Sequence, residues 1–477
     1  MRARLFTPEF RKWWTLVAVA FGLFMIMLDN TVVNVALPSI ERDLHIGISE
    51  LEWVVNAYAL TFGVLLLTGG KLADLLGRRR IFILGLIIFT ASSFFCGIAN
   101  GSATLIAART VQGVGAALMN PATLSIITAT FPPRQRGMAI GIWAGVSAMA
   151  LAIGPLVGGF IAQHFSWSWI FFINVPIGIA GIFAARLFID ESRDTSQEQR
   201  LDPLGLVTSA IALFALTYAL IEANHFGWGS TRIMSLFAVA GVSFAAFILL
   251  ELRQRIPMLD LSLFKNATFA GANAVMLLVG LAMFGVFFFV SLFVQNVLHY
   301  SPTEAGASFL PMTVLIILVA PKAGQLSDRF GSRWLVAGGQ VLLAACLFLF
   351  SRLHGGSDFW DLLPAMLVGG FGMAMSMSPL TSAAMGSVPV DKAGVGSAVI
   401  NSMRQVGGSI GIALTGAIIA SRGTPTQPFT IDGFQLGLKV SAAVAVCGAL
   451  TALLTIHGVR EHRASRDAAA DLVYGDP

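Results

Sequence analysis

The chain has 477 residues, of which 56% are hydrophobic and only 12% are charged, and its mean hydropathy is +0.79. Because an average soluble domain is roughly a quarter charged, this composition excludes a soluble enzyme and predicts a membrane-embedded chain. The formal net charge is +5, and the location of the basic residues decides what that charge means. The three cysteines lie singly in apolar segments and predict neither a disulfide framework nor a metal site.

Fourteen apolar runs occur along the chain, and each is long enough to cross a bilayer core of about 30 Å as a helix of about 20 residues. The runs are apolar on nearly all faces, which argues against the alternating ten-residue strands of a membrane β-barrel. We therefore predict an all-α membrane protein with fourteen transmembrane helices. The predicted spans are 15–37, 51–69, 81–99, 104–127, 138–162, 169–189, 204–221, 233–251, 268–293, 306–325, 334–351, 362–386, 396–420 and 435–457.

The basic residues are distributed unevenly between the two sides of the predicted membrane. With an even number of spans both termini share one side, and 23 of the 30 Lys and Arg residues fall on that side, against five on the other. By the positive-inside rule both termini are cytoplasmic. The remaining two, Arg109 and Arg404, lie inside predicted spans. The positive charge is therefore a topology signal, and no nucleic-acid partner is predicted.

A ten-residue pattern, G-x-L-[AS]-D-x-x-G-x-R, occurs at 70–79 and again at 324–333, after spans two and ten. Its spacing predicts two six-helix halves in parallel repeat, separated by two inserted spans, as in carriers whose site lies between the halves near the midplane. The predicted organisation is a six-helix bundle at 1–189, linkers with two inserted helices at 190–265, a second bundle at 266–459 and a tail at 460–477.

Each copy of the pattern places a carboxylate, Asp74 or Asp328, near a tight turn between two helices. In the first copy Gly70 and Gly77 permit the turn, and Arg78 begins a basic triplet. Such a carboxylate can bind a helix N-terminus or an arginine of the facing half. We expect it to form a latch that breaks when the cytoplasmic side opens. The alternative is that the arginines only enforce orientation.

Several further runs, in order along the chain, accompany the repeat. They are residues 28–38, 109–117, 145–159, 167–178 and 300–306. With them the chain resembles the major facilitator superfamily and, within it, the fourteen-helix drug/proton antiporters. Five residues of the fifth span are similar to the antiporter motif of that family, and the resemblance implies exchange rather than uptake. They are Gly145, Gly154, Pro155, Gly158 and Gly159. The glycines let helices approach closely, and the proline permits a bend.

Asp29 and Arg109 are isolated charges at similar depth in the first and fourth spans. Asp29 lies about 22 Å along its helix from the inner interface, at 1.5 Å per residue. An ionised carboxylate in the bilayer interior costs about 2.5 to 3.5 kcal/mol, which makes Asp29 a candidate proton carrier. The resemblance implies that Arg109 takes part in proton coupling. A permanently hydrogen-bonded structural aspartate and a static strut between helices remain as alternatives.

Polar and aromatic side chains inside the spans are candidates for a substrate cavity, because polar positions in membrane helices face cavities or partners rather than lipid. A polar stripe in span thirteen and a mixed stripe of rings and amides in span nine would suit planar apolar ligands. Helix packing explains these stripes as well. The cavity candidates are Asn34, Gln112, Phe284, Phe288, Asn401, Arg404 and Gln405.

We predict a proton-coupled antiporter of the bacterial inner membrane that exports amphipathic, cationic or neutral organic compounds by alternating access. Its expected partners are small organic substrates, protons and the lipid bilayer. No cofactor, metal or nucleotide is expected, since the chain lacks a phosphate-binding loop motif. About one proton per cycle is expected, because span ten has no carboxylate.

Three other functions remain open from the sequence. One is export of an endogenous metabolite, lipid or siderophore. A second is an intramembrane lipid enzyme, against which stand the absence of an H-E-x-x-H helix and the placement of the histidines at loops or near span ends. A third is a non-transporting sensor, for which the chain offers no soluble output domain. The sequence points to no particular protein partner.

Overall fold

We analysed a computed structural model of the chain, which describes residues 8–193, 202–254, 257, 259, 261–388, 393–423 and 429–456. These residues are almost entirely helical and include no strand. The predicted tail at 460–477 and part of the predicted linker, 194–201, lie outside the described residues.

Seven helices precede the linker. They are α1 (Pro8–Leu44), α2 (Ile48–Leu76), α3 (Arg78–Gly97), α4 (Ser102–Thr130), α5 (Pro133–His164), α6 (Trp169–Phe172) and α7 (Asn174–Phe188). Two helices follow in the central region, α8 (Pro203–Phe226) and α9 (Thr231–Arg253), and then a short 3-10 helix, Leu261–Lys265. The last seven are α10 (Ala267–Asn296), α11 (Pro302–Ser308), α12 (Leu310–Phe330), α13 (Ser332–Phe350), α14 (Phe359–Gly386), α15 (Ala393–Ser421) and α16 (Ile431–Thr455).

Every predicted span corresponds to a helix or to two adjoining helices. Among the described residues, twelve spans are long and apolar enough to cross a membrane, with α6 and α7 forming one of them and α11 and α12 another. The other two predicted spans are α4 and α5, which are 29 and 32 residues long. The structure is therefore the all-helical membrane architecture that the hydropathy pattern predicts.

Two predicted spans are each divided into a short and a long helix. The tenth is divided at Phe309, two residues before Pro311. Proline has no backbone N–H, so the carbonyl of Ala307 loses its helical donor at this point. The first piece starts with a capping box in which Ser301 Oγ accepts from the N–H of Glu304 and the glutamate carboxylate accepts from the N–H of Ser301.

The two copies of the repeated pattern have the same backbone feature. Gly77 has φ of +113° and Gly331 has φ of +87°, and each joins two helices. Residues with a side chain rarely adopt such angles, whereas glycine does so freely. The repeat recognised in the sequence is thus also a repeat of turn geometry. We call the end of the molecule that carries these two turns the basic end, and the end that carries the 45–47 and 297–301 connections the opposite end.

The two central helices pack on each other and cover the contact between α2 and α15. Trp53 of α2 lies against Phe214 of α8, with ring centroids 5.4 Å apart. Nearer the end of α8, Asn224 Nδ2 donates to Ala417 O of α15 at 2.6 Å. The central helices therefore bind both the helices before the linker and those after it.

The helices before and after the central region meet directly at mid-height. Ser402 Oγ of α15 donates to Gly63 O of α2 at 2.6 Å, and Ser409 Oγ donates to Asn56 Oδ1 at 2.8 Å. Further hydrogen bonds join α1 to α10 at the opposite end. Residues 288–295 of α10 are all buried there, whereas Phe284, nearer the basic end, is partly exposed. The contact is thus closed at the opposite end.

Candidate functional site

An ion pair joins α1 to α4 inside the membrane. Arg109 Nη1 lies 2.5 Å from Asp29 Oδ2, and it is placed to donate a hydrogen bond to that oxygen. Asp29 is 0% and Arg109 is 1% exposed. The two isolated charges identified in the sequence therefore meet, and both are shielded from solvent in this conformation.

Gln112 completes a hydrogen-bond network around the pair. Its Oε1 accepts from Arg109 Nη1 at 2.7 Å, and its Nε2 donates to Asp29 Oδ1 at 3.1 Å. The same Nε2 lies 3.2 Å from Ser93 Oγ, which also accepts from Asn174 Nδ2 at 3.0 Å. Residues three apart share one face of a helix, so Arg109 and Gln112 both point from α4 toward α1. The network connects α1, α3, α4 and α7.

Arg109 has partners other than the carboxylate. Its Nε donates to Val54 O of α2 at 3.1 Å, and its guanidinium carbon lies 4.3 Å from the centroid of the Tyr58 ring. A desolvated cation–π contact contributes about 2 kcal/mol. The charge of Arg109 therefore keeps part of its compensation when Asp29 is neutral.

Just beyond the ion pair, α1 is bound to α10. Pro38 has no N–H, so the carbonyl of Asn34, four residues earlier, has no helical donor. Ser291 Oγ of α10 donates to that carbonyl at 2.9 Å, and Gln295 Nε2 donates to Val35 O at 2.9 Å. The proline thus frees an acceptor through which the two halves of the molecule are joined.

Two glycines of the predicted antiporter motif bring α5 against the same part of α1. A Cβ atom on Gly154 would overlap Thr31 Oγ1, and one on Gly158 would lie 2.6 Å from Val32 O. Real Cβ atoms do not approach other atoms so closely, so only glycine permits this packing. The contact lies two and three residues after Asp29.

Of the other residues of that motif, Gly159 and Pro155 contact α11, whereas Gly145 makes no close contact. A Cβ atom on Gly159 would overlap Pro302 O, and one on Gly306 would overlap Pro155 O. These two close approaches join α5 to α11 at the opposite end. Gly145 differs, because no neighbouring atom lies within 4 Å of the position of its missing Cβ.

At the basic end, Asp74 interacts within its own motif. Arg78 Nε donates to Asp74 Oδ1 at 2.9 Å across the turn at Gly77. Gly70 lies in the interior of α2, so the positive φ that the turn requires belongs to Gly77. The side chain of Asp328, in the second copy, lies outside what the structure describes.

The close helix approach beside this motif belongs to Gly69 rather than Gly70. A Cβ atom on Gly69 would overlap Ala117 O of α4, whereas one on Gly70 would make an ordinary 3.5 Å contact with Pro121. Pro121 lacks the N–H that would bind the Ala117 carbonyl, which leaves that oxygen free to face α2.

The residues that follow α7 hold the basic triplet. The N–H of Arg78 donates to Ser192 O at 3.0 Å, and that of Arg79 donates to Glu191 Oε1 at 3.2 Å. Arg80 Nε lies 3.6 Å from the other oxygen of Glu191. The beginning of the predicted linker is therefore an anchor for this loop, which its polar composition alone does not predict.

The two phenylalanines predicted to line a cavity differ in exposure. Phe288 is fully buried and its ring lies 4.7 Å from that of Phe289, edge to face. Phe284 is partly exposed and packs on α15, since a Cβ atom on Gly408 would lie 2.7 Å from its ring. Of the two, only Phe284 is exposed enough for contact with a ligand.

The amide candidates are used in different ways. Asn34 Nδ2 donates to Asn30 O at 3.3 Å, and Asn401 Nδ2 donates to Ser397 O at 3.0 Å, so both bind the carbonyl four residues earlier. Gln405 is 1% exposed, and its Oε1 has no hydrogen-bond donor among the described residues. Gln112 belongs to the ion-pair network rather than to an open cavity.

Arg404 is the second arginine inside the membrane. It is partly exposed, yet its Nε is buried and has no acceptor among the described residues. No ion pair of Arg404 occurs in the part of the chain that the structure describes.

Three polar residues of the ion-pair network, Tyr58, Ser93 and Asn174, were not predicted from the sequence. All three are polar side chains inside predicted spans two, three and six, which is the signal that would have identified them. Glu52, also in span two, is 3% exposed, with an oxygen that a Cβ atom on Gly416 would overlap. Among the described residues, no group of three or more His, Cys, Asp or Glu side chains could hold a metal ion.

The all-helical fold, with spans long and apolar enough to cross a membrane and an ion pair buried between two of its helices, is that of a multi-pass membrane protein. The family model described as Major Facilitator Superfamily matches residues 19–412, and the chain belongs to that superfamily.

Several characterised relatives resemble the chain over most of its length. It is 37% identical to the tetracenomycin C resistance and export protein of Streptomyces glaucescens, over 86% of this chain and 77% of that protein. It is 36% identical to a puromycin resistance protein of Streptomyces alboniger, over 92% and 89%. It is also 36% identical to the multidrug resistance protein Stp of Mycobacterium tuberculosis, over 85% and 76%.

Solved structures share the fold at low sequence identity. A peptide transporter in complex with sulfate superimposes with a TM-score of 0.67 at 14% identity, over 92% of this chain and 94% of that one. A bacterial homologue of the human lysosomal transporter Spinster, in an inward-facing and unoccupied conformation, gives 0.65 at 18% identity, over 93% and 97%. These likenesses establish the fold alone.

Proposed function

We propose that the protein is an antiporter of the bacterial inner membrane that exports amphipathic organic compounds in exchange for protons, and that it catalyses no chemical reaction. The observation that carries this proposal is the buried ion pair between Asp29 and Arg109. Relatives named for resistance to tetracenomycin C, puromycin and several drugs support export of organic compounds.

The surroundings of the pair suit reversible protonation rather than a fixed strut. When Asp29 takes up a proton, Arg109 loses one acceptor but keeps Val54 O, Gln112 Oε1 and the face of the Tyr58 ring. Gln112 Nε2 still donates to the protonated carboxyl group. In the protonated state Arg109 has no counter-ion, and these acceptors and the ring offset part of the cost of burying its charge, which is several kcal/mol for an unpaired ion.

The position of Asp29 connects proton binding to the rest of the carrier. Within two turns of α1 lie the carboxylate, the contacts of Thr31 and Val32 with α5, and the Asn34 carbonyl that binds α10. When protonation of Asp29 loosens the contact of α1 with α4, the contacts of α1 with α5 and α10, which close the opposite end, change as well. We propose that the bundles at 1–189 and 266–459 rock about this contact, with the central helices in 190–265 following them.

The proton gradient supplies enough free energy for uphill export. One proton entering the cell gains about 2.3 kcal/mol per 100 mV of membrane potential and about 1.4 kcal/mol per pH unit. Together these support a concentration ratio of several hundredfold, at a factor of ten per 1.4 kcal/mol.

Reconstituted protein tests the proposal. Purified full-length protein in liposomes with an acidic lumen is given puromycin or tetracenomycin C outside, and a dye in the lumen reports pH. We expect each transported compound to alkalinise the lumen as protons leave in exchange. Liposomes without protein and liposomes with Asp29→Asn should show no such change. Accumulation of compound with no proton movement would contradict the proposal.

A further inference from the structure

Arg404 lies on a stripe of α15 that faces the space between the halves. At about 100° per residue, the helix directs Ser402 and Gln405 toward α2, where Ser402 Oγ donates to Gly63 O and Gln405 lies against Gly63. Gly407 and Gly411 point toward α10, since Cβ atoms there would overlap the carbonyls of Leu277 and Leu281.

The positions of Ser397, Asn401 and Arg404 fall between those two contact faces. All three residues are partly exposed, whereas Gln405 and Gly408, one step further toward the opposite end, are buried. The stripe is thus accessible from the basic end and closed beyond Arg404. Leu220 of α8 packs with Ala413 on a different side of α15, so the stripe lies on the side between α2 and α10 that α8 leaves uncovered.

The charge of Arg404 has no protein counterpart there. The six predicted spans of the second half, from 268 to 457, contain no Asp or Glu between their ends. Asp29 is already bound to Arg109, and the buried Nε of Arg404 has no acceptor among the described residues. A guanidinium inside a membrane is costly unless an anion or acceptor meets it.

We propose that Arg404 is the anion-binding part of the substrate cavity and that the protein carries planar apolar compounds bearing one ionised acidic group. This rests on the proposed function and deepens it. The guanidinium binds a carboxylate through two parallel hydrogen bonds. Phe284, partly exposed across the contact between α10 and α15, offers a ring face to the apolar part. This differs from the cationic or neutral compounds that the sequence predicts.

The proposal has an electrical consequence. An anion leaving the cell and a proton entering it both move positive charge inward, so each cycle transfers two charges. A neutral compound exchanged for one proton transfers one charge, and a cation transfers none. Export of an acidic compound should therefore depend more steeply on membrane potential than export of its neutral analogue.

A pair of fluorescent ligands of the same shape tests the assignment. Purified protein in detergent is titrated with 9-anthracenecarboxylate and with 9-anthracenecarboxamide at a pH where the acid is ionised. We expect wild-type protein to bind the carboxylate at least about tenfold more tightly. Equal binding of the two ligands would overturn the proposal, whatever the variants show.

Variants locate the preference. Arg404→Gln should weaken carboxylate binding about tenfold and carboxamide binding less than twofold, while Arg404→Lys should lose part of the preference. Arg422→Gln removes the same charge at an exposed position just after α15 and should bind both ligands as wild type does. Equal loss of both ligands in Arg404→Gln would assign Arg404 to helix packing and overturn the proposal.

Two further arms separate the alternatives. An anionic lipid headgroup has the same chemistry, so phosphatidylglycerol is added to the micelles. Displacement of the carboxylate at equal concentration would assign Arg404 to lipid instead.

In liposomes, proton exchange with the carboxamide but no preference for the carboxylate would leave the antiporter intact and refute the anion site. Absence of proton exchange with either ligand and with puromycin would refute the antiporter itself.

Discussion

Arg109 Nη1 lies 2.5 Å from Asp29 Oδ2, and both side chains are buried inside the membrane. Desolvating two charges costs several kcal/mol per ion, and their attraction offsets this only where good geometry and further hydrogen bonds are present. Here Gln112 binds both partners. The pair therefore joins α1 to α4 through an ion pair and hydrogen bonds. Because protonation of Asp29 removes the ion pair, a single proton weakens this contact between the two helices.

The packing of α5 gives a prediction with an internal control. In Gly159→Ala the added methyl group overlaps Pro302 O, so α5 and α11 must separate. Overpacking costs about 1 to 3 kcal/mol, and we expect drug export in resistance assays to fall about tenfold. Gly145→Ala adds the same methyl group in open space and should export normally. Equal losses in both variants would contradict a specific role for the contact between α5 and α11.

The two phenylalanines of α10 should respond differently to truncation. Phe288→Ala removes a fully buried ring and should lower the free energy of unfolding by about 3 to 5 kcal/mol, seen as a lower Tm in detergent. Phe284→Ala removes a partly exposed ring and should change the rank order of exported compounds with a smaller effect on Tm. A uniform decrease for all compounds in Phe284→Ala would assign that ring to helix packing.

Much of the fold follows directly from the sequence. All fourteen spans come from hydropathy, because a helix that meets lipid must be apolar over about 20 residues. The pairing of Asp29 with Arg109 follows from elimination, since isolated charges in neighbouring spans need partners. The turn at Gly77 and its repeat at Gly331 follow from the shared pattern.

Other features depend on contacts that one sequence does not reveal. The ring of Tyr58 faces the guanidinium of Arg109, but a tyrosine in a span looks like any interface aromatic residue until the helices are packed. Gly69 and Gly70 are equivalent in the sequence, and only the carbonyl of Ala117 distinguishes them. Glu191 lies in a polar segment that reads as a linker, although it binds the basic triplet.

The loop at the basic end gives a third prediction. Asp74→Asn removes the charge that binds Arg78 at 2.9 Å without altering the glycine turn, so membrane expression should remain nearly normal while transport falls. Asp328→Asn should have a smaller effect, because its copy of the pattern lacks the basic triplet. Transport and expression are measured in the same cells. Wild-type transport in both variants would leave orientation as the role of this loop.

The last prediction concerns the ion pair itself. Asp29→Asn removes the group that takes up the proton, so uphill export should be lost. Exchange of labelled for unlabelled compound at equal concentrations on the two sides of the membrane should persist. Arg109→Ala leaves a buried carboxylate without its cation, which favours the protonated form, and transport should fail because the proton is not released. Asp43→Asn, at the exposed end of the same helix, serves as the control and should export as wild type does.

Coupling between the two residues is tested in the double variant. If Asp29 and Arg109 act as a unit, the loss of transport in the combined change will be smaller than the sum of the single losses. The Tm should behave in the same way, because removing both charges leaves neither one buried alone. Proton release from liposomes and Tm in detergent measure the two effects separately. Additive losses, or uphill export by Asp29→Asn, would show that the proton takes another route through the protein.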